Sequence, residues 1–84
     1  MASALLKIRV VLSPDPAGGY TVTSPDLPEL LTEGDDAAEA LANLPDALAA
    51  VRELYIDLNR PFPPGLAPLP TTTPVVFETL VEAA

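Results

Sequence analysis

The first part of the chain contains two segments in which apolar and polar residues alternate. In residues 4–13, every second position is a branched apolar residue, namely Leu6, Ile8, Val10 and Leu12. This period of two predicts a strand. Residues 20–24 repeat the pattern in a shorter form. The Pro- and Gly-rich loop between them, residues 14–19, therefore predicts a hairpin.

The segment SPDLPELLTEGDD, residues 24–36, follows the second strand and holds five carboxylates and no basic residue. Pro25 and Pro28 predict a turn, because proline lacks an N–H and disfavours helical geometry in the residue before it. We call residues 24–30 the elbow. Residues 30–33 can form a short third strand, which Gly34 would end.

A long helix is predicted after Gly34. Asp36, followed three residues later by Glu39, forms an acidic version of the capping box. Apolar residues then recur every three or four positions, as expected of a helix packed on a sheet: Ala37, Ala40, Leu41, Leu44, Leu48, Val51, Tyr55 and Leu58. Pro45 lies within this run, but the apolar stripe keeps its phase. We therefore expect one helix with a kink between Leu41 and Pro45.

The last quarter of the chain is rich in proline and then alternates again. Residues 61–74 hold six of the eleven prolines and predict an extended crossover back to the sheet. A ligand for a proline-reading domain is the alternative. Residues 75–81 alternate and predict a final strand, although a short terminal helix is also compatible. The expected fold is one α+β domain over residues 1–84, in the order β-β-β-α-β.

The composition restricts the chemistry. The 84 residues include no Cys and no His, so thiolate chemistry and the commonest general base are excluded. The net charge is −8, and residues 10–51 contain eight acids and no base. This surface disfavours nucleic acid and suits a basic partner, or it is simply a solvated surface that maintains solubility. No apolar run is long enough for a membrane span and no signal peptide is visible, so we expect a cytoplasmic protein.

The arrangement of the acidic residues in the sequence does not favour a nuclease function. Two-metal nucleases need several carboxylates that converge from central strands, whereas the first predicted strand carries none. Capping of the helix also explains the cluster Asp35, Asp36 and Glu39. We therefore expect no metal, no cofactor and no catalytic residue, with a degenerate nuclease as a remote alternative.

Residues 18–48, GGYTVTSPDLPELLTEGDDAAEALANLPDAL, resemble the HicB antitoxin family of bacterial toxin–antitoxin systems. The matching features are an aromatic-led strand at Tyr20, Pro-Asp-Leu-Pro at residues 25–28, Gly-Asp at residues 34–35 and Glu-Ala at residues 39–40. PFPPG at residues 61–65 resembles the segment that follows the helix in that family. Glu29 is a departure, because family members usually have Gly there.

The resemblance implies a partial ribonuclease H-like fold without nuclease activity. It also implies a partner, a small basic toxin of the HicA type that cleaves messenger RNA. The expected contacts with this partner are acids around the elbow and the helix start: Asp26, Glu29, Glu33, Asp35 and Asp36. Many family members have a DNA-binding domain that this sequence does not show, so we expect no direct DNA binding. A homo-oligomer, dimer or tetramer, is expected from the small core and an exposed sheet edge. An orphan domain that self-associates without a toxin is the alternative.

Overall fold

The computed structural model describes residues 5–63, 66, 69, 72, 74–81 and 83. Its three strands are β1, Val11–Pro14, β2, Tyr20–Thr23, and β3, Leu31–Gly34. They form an antiparallel sheet in the order β1-β2-β3. One bent helix follows, made of α1, Ala37–Ala42, and α2, Leu44–Asp57. The predicted α+β fold, with three antiparallel strands followed by a long helix, is confirmed.

The β1–β2 hairpin closes through a glycine-dependent loop. The Asp15 N–H donates to the Gly19 carbonyl at 2.9 Å, and the Gly18 N–H donates to the Asp15 carbonyl at 2.9 Å. Gly18 and Gly19 have φ values of 107° and 80°, a region that other residues seldom adopt. The strand register pairs Pro14 with Tyr20 and Tyr20 with Gly34. The hairpin loop therefore lies beside the end of β3.

β1 is shorter than the predicted strand 4–13. Its last pair with β2 is Val11 with Thr23, and residues 5–10 have no regular secondary structure. The cause lies in the elbow, because Pro25 provides no N–H for a longer ladder. The carbonyl of Arg9 accepts a hydrogen bond from Ser24 Oγ at 2.7 Å instead.

The elbow supplies the centre of the core. Leu27 and Leu30 are almost completely inaccessible to solvent, and they pack with Val51 and Tyr55 of α2 and with Leu66. Ser24 is also buried, and its Oγ accepts hydrogen bonds from the N–H groups of the second and third residues after it, at 3.1 and 3.3 Å. This hydroxyl folds the elbow so that its two leucines lie beneath the helix.

The helix begins and bends where the sequence predicts. Asp36 is the N-cap of α1, and its Oδ1 accepts from the Glu39 N–H at 2.8 Å. The bend is at Asn43, within the predicted interval, and Asn43 Nδ2 donates to the Glu33 carbonyl at 2.8 Å. Pro45 lies in the first turn of α2. An N–H at that position has no partner within the helix, so proline is tolerated there.

The predicted final strand is absent from the residues that the structure describes near the C-terminus. Residues 74–81 and 83 have no regular secondary structure, and residues 74–81 are exposed. The alternation in this segment shows that it could form a strand, but a strand also needs a partner. Within the described part of the chain, no helix is long and apolar enough to cross a membrane. Half of the predicted crossover, seven of the residues 61–74, lies outside the described residues.

Candidate functional site: an acidic cleft at one end of the sheet

Asp26 is engaged within the chain by Arg9. The Arg9 N–H donates to Asp26 Oδ2 at 3.0 Å, and Arg9 Nη2 forms an ion pair with Oδ1 at 2.8 Å. The side-chain hydrogen bond from Arg9, supported by the backbone one, lowers the pKa of Asp26 below its usual 3.8. Asp26 therefore ties the N-terminal segment to the elbow.

Glu29 is engaged at the opposite side of the elbow. Its Oε2 accepts from the Tyr55 hydroxyl at 2.8 Å, and its Oε1 lies 3.4 Å from Arg60 Nη1. The Arg60 guanidinium also stacks over the Tyr55 ring at 4.6 Å. The hydrogen bond from Tyr55 lowers the pKa of Glu29, and the same bond raises the pKa of Tyr55. Glu29 thus connects the elbow to the end of α2.

The other three predicted contact residues lie further along the chain and are exposed. Glu33 is in β3, Asp35 follows that strand, and Asp36 caps α1. Neither of the two ion pairs that the structure describes involves any of these three acids. The structure therefore separates the five predicted residues into two that form ion pairs within the chain and three that are exposed, of which Asp36 also caps α1.

Four carboxylates line a shallow cleft at the hairpin end of the sheet. The cleft has a volume of about 320 Å³. Its acids are Asp15 of the hairpin loop, Glu33, Asp35 and Glu39, and Tyr20, Gly18 and Gly34 complete its lining. We call this site the acidic cleft.

The close contact between β3 and α1 depends on Gly34. A Cβ atom on this residue would clash with the backbone nitrogen of Ala40 and lie 2.7 Å from the carbonyl carbon of Glu39. Only glycine permits this approach without a shift of the backbone. Gly34 therefore places the start of α1 against the end of β3, so that Glu39 lines the same cleft as Glu33 and Asp35.

Asp15 and Glu39 were not among the predicted contact residues. The sequence pattern predicts only a helix-cap role for Glu39 and a loop position for Asp15. The strand register brings Asp15 to the cleft, because Tyr20 pairs with both Pro14 and Gly34. An alternating pattern identifies strands but does not give their register. The Gly-Gly pair of the loop was the one local signal that the loop approaches another backbone.

The acidic cleft can act on a partner mainly through its negative electrostatic field. Several like charges in one concave surface reinforce each other's field and attract cations. Among the described residues, no three acids converge closely enough to hold a metal ion. The fold and this surface define a small acidic α+β domain with a cleft lined by four carboxylates at the hairpin end of its sheet.

Comparison with curated proteins identifies relatives of this domain. The chain is 39% identical to Antitoxin HicB of Escherichia coli strain K12 over 66 residues, which are 79% of this chain and 44% of that protein. It is 44% identical to Antitoxin HicB 1 of Photorhabdus laumondii over 61 residues, 71% of this chain and 39% of that protein. It is also 44% identical to Antitoxin HicB 2 of the same organism over 45 residues, 54% of this chain and 32% of that protein. No family model matches the chain.

The chain belongs to the HicB-like antitoxin family. It spans less than half the length of the curated relatives that it matches. The resemblance noted in its Pro-Asp-Leu-Pro, Gly-Asp and Glu-Ala motifs is therefore confirmed at the level of the family.

Proposed function

We propose that this chain is an antitoxin-like protein that binds and neutralises a small basic toxin of the HicA type through its acidic cleft. The support is the identity of 39–44% with three proteins named as HicB antitoxins. A cleft with four carboxylates supplies the physical means, because charge complementarity steers and orients a basic partner. The toxin would act on messenger RNA, so the complex would form in the cytoplasm.

The proposed contact acids are Glu33, Asp35 and Asp36, with Asp15 and Glu39 beside them. Asp36 contributes its outward charge while it caps the helix. Asp26 and Glu29 would contribute indirectly, because each already binds an arginine of the same chain. In this proposal they hold the elbow in the conformation that the cleft requires.

The proposed mechanism is masking, not catalysis. A toxin that cleaves RNA must present cations to the phosphate backbone, since nucleic-acid affinity comes largely from Lys and Arg. The carboxylates of the acidic cleft would bind those cations and so compete with RNA for them. No chemical step by the antitoxin is required, and β1 carries no carboxylate for the metal chemistry of a nuclease.

A second candidate is an orphan domain that self-associates. The observation in its favour is the row of exposed apolar residues near the C-terminus, where Val76 is 90% and Phe77 66% exposed. Monomeric proteins seldom leave contiguous apolar surface uncovered. The two candidates are compatible, because the acidic cleft and this row lie on different parts of the chain.

Capture of partners from the host lysate on the immobilised chain tests the toxin proposal. The test variant is Glu33→Lys with Asp35→Lys, which reverses two acids of the cleft. The matched control is Glu53→Lys with Asp57→Lys, which makes the same change in net charge on exposed positions of α2. Mass spectrometry identifies the retained proteins at low and at raised salt.

We expect the unmodified chain and the α2 control to retain a small basic protein at low salt. Retention should fall as salt rises, because screening weakens exposed ionic contacts. The amount of toxin that the cleft variant retains should be at least tenfold lower. Equal retention by the cleft variant and the α2 control would refute the proposed contact surface. Retention of no basic protein by the unmodified chain would refute the antitoxin proposal.

A further inference from the structure

A second cleft lies between the N-terminal segment and the C-terminal segment. Its volume is about 660 Å³, and its walls are residues 5–8 on one side and residues 75–78 with Leu69 on the other. The lining is mainly apolar, and it includes one cation, Lys7, and one anion, Glu78. We call this site the tail cleft. The described part of the chain leaves it open to solvent on one side.

The apolar surface continues from the tail cleft along the C-terminal segment. Six large apolar side chains on the two segments are at least 40% exposed: Leu5, Val75, Val76, Phe77, Leu80 and Val81. If a partner covered most of this surface, each copy would bury on the order of 600 Å² of accessible surface, compared with about 800 Å² per partner in a standard interface. A row of this size is large enough to support specific association.

Both walls of the tail cleft have sequences that favour strands but form none within one chain. Residues 5–10 precede β1 in an alternating sequence, and residues 75–81 alternate in the same way. Neither range is in a strand in the structure. Segments of this kind are templates for pairing with another chain.

The opposite edge of the sheet is less suited to association. β3 forms that edge, and the Glu33 carbonyl already accepts a hydrogen bond from Asn43 Nδ2. Glu33 and Asp35 also give this edge negative charge. Two copies of an acidic edge repel each other, so the tail cleft is the better surface for self-association.

We propose that the tail cleft is covered by the tail cleft of a second copy of this chain, in a two-fold dimer. A two-fold interface must be complementary to itself. The tail cleft meets this condition, because its two charges are opposite and an antiparallel arrangement brings Lys7 near Glu78 of the partner subunit. A basic toxin is a poorer occupant, since the surface is apolar and carries a cation of its own.

Association would complete the strand that the sequence predicts. Residues 75–81 gain a backbone partner only when the second copy is present, and their amide N–H groups then become protected from exchange. This inference specifies the surface for the self-association proposed above and does not depend on toxin binding. The tail cleft and the acidic cleft lie toward opposite ends of the sheet, so each can be altered alone.

The test measures mass by light scattering coupled to size exclusion, at about 100 μM and in both low and raised salt. The test variant is Val76→Glu with Phe77→Glu. The control is Ile56→Glu, which adds one charge at an apolar residue of α2 that is 74% exposed. Far-UV circular dichroism shows whether each variant is folded. Hydrogen exchange of the unmodified chain at about 5 and 100 μM reports on residues 75–81.

We expect the unmodified chain and the Ile56→Glu variant to have the mass of two chains, and the tail variant to have the mass of one folded chain. The dimer should persist at raised salt, because apolar contacts are not screened. Exchange in residues 75–81 should slow by about two- to fourfold at the higher concentration, because the monomer fraction of a dimer falls at most as the square root of the concentration. The mass of one chain for the unmodified protein, or a dimer that persists in the tail variant, overturns the inference. The tail variant can also be used in the lysate capture described above. If it keeps the mass of two chains but no longer retains a toxin, the tail cleft binds the toxin and the dimer inference is overturned.

Discussion

The Ser24 hydroxyl offers the sharpest test of how the elbow is built. Ser24→Ala removes one oxygen atom from a buried position. That oxygen donates to the Arg9 carbonyl at 2.7 Å and accepts from the N–H groups of Asp26 and Leu27 at 3.1 and 3.3 Å. One side chain thus joins the N-terminal segment to the turn that buries Leu27. Alanine preserves the volume almost unchanged, so the substitution isolates the hydrogen bonds.

The expected loss of stability follows from these three contacts. A typical intramolecular hydrogen bond contributes about 0.5–1.5 kcal/mol, and a buried group left without a partner costs about 1–3 kcal/mol. Water can reach Asp26, which is partly exposed, but it cannot reach Leu27 without opening the core. We therefore expect the free energy of unfolding to fall by about 2 kcal/mol. A domain of 84 residues has a total stability of roughly 4–13 kcal/mol, so the effect is large.

Urea denaturation followed by far-UV circular dichroism measures this difference, since the chain has no Trp for fluorescence. All proteins are compared at one concentration, because association would otherwise contribute to the apparent stability. Ser24→Thr keeps a hydroxyl and should recover at least half of the loss. Thr23→Ala, at the exposed neighbouring position, should change stability by about 0.5 kcal/mol or less. A loss below about 0.5 kcal/mol for Ser24→Ala would refute the structural role of this hydroxyl.

Three further predictions concern the helix start and the ion pair of the elbow. Gly34→Ala should reduce stability by about 1–3 kcal/mol in thermal or urea unfolding, because its Cβ would clash with the Ala40 backbone; unchanged stability would exclude the close packing of β3 on α1. Asp36→Ala should cost about 1 kcal/mol through loss of the N-cap, and Asp36→Asn should recover most of it, which circular dichroism checks. The pKa of Asp26 is lowered by Arg9, so its contribution to stability is present above the usual value of 3.8 and is lost as pH falls below it. Asp26→Asn should therefore flatten the stability profile between about pH 5 and pH 2, and an unchanged profile would contradict this.

Local patterns in the sequence were sufficient for the helix and the hairpin. The cap at Asp36 and the bend near Pro45 each depend on a few adjacent residues, and both are observed. The ends of β1 and the absence of a final strand could not be predicted in this way. A ladder is a property of two segments, and alternation in residues 4–13 and 75–81 says only that each could take part.

The candidate site was predictable in composition but not in arrangement. The acids of the elbow are visible in the sequence, yet Arg9 lies 17 positions before its partner Asp26, and Tyr55 lies 26 positions after its partner Glu29. No local signal distinguishes these two carboxylates from Glu33. Tertiary structure decides which acids are already paired and which remain available to a partner.

The basic residues of the chain explain how one small domain could serve two kinds of association. All four are described in the structure, and none of them lines the acidic cleft. Arg9 and Arg60 bind the elbow, Arg52 lies over the ring of Phe62 at 5.8 Å, and Lys7 lies in the tail cleft. The acidic cleft therefore keeps its negative charge, while the tail cleft carries one charge of each sign and is mainly apolar. Repulsion between acidic ends favours a dimer through the tail clefts, and this arrangement leaves both acidic clefts free for basic partners. The two proposals together therefore predict that raised salt releases a bound toxin and leaves the dimer intact, a separation that one common surface for both contacts could not produce.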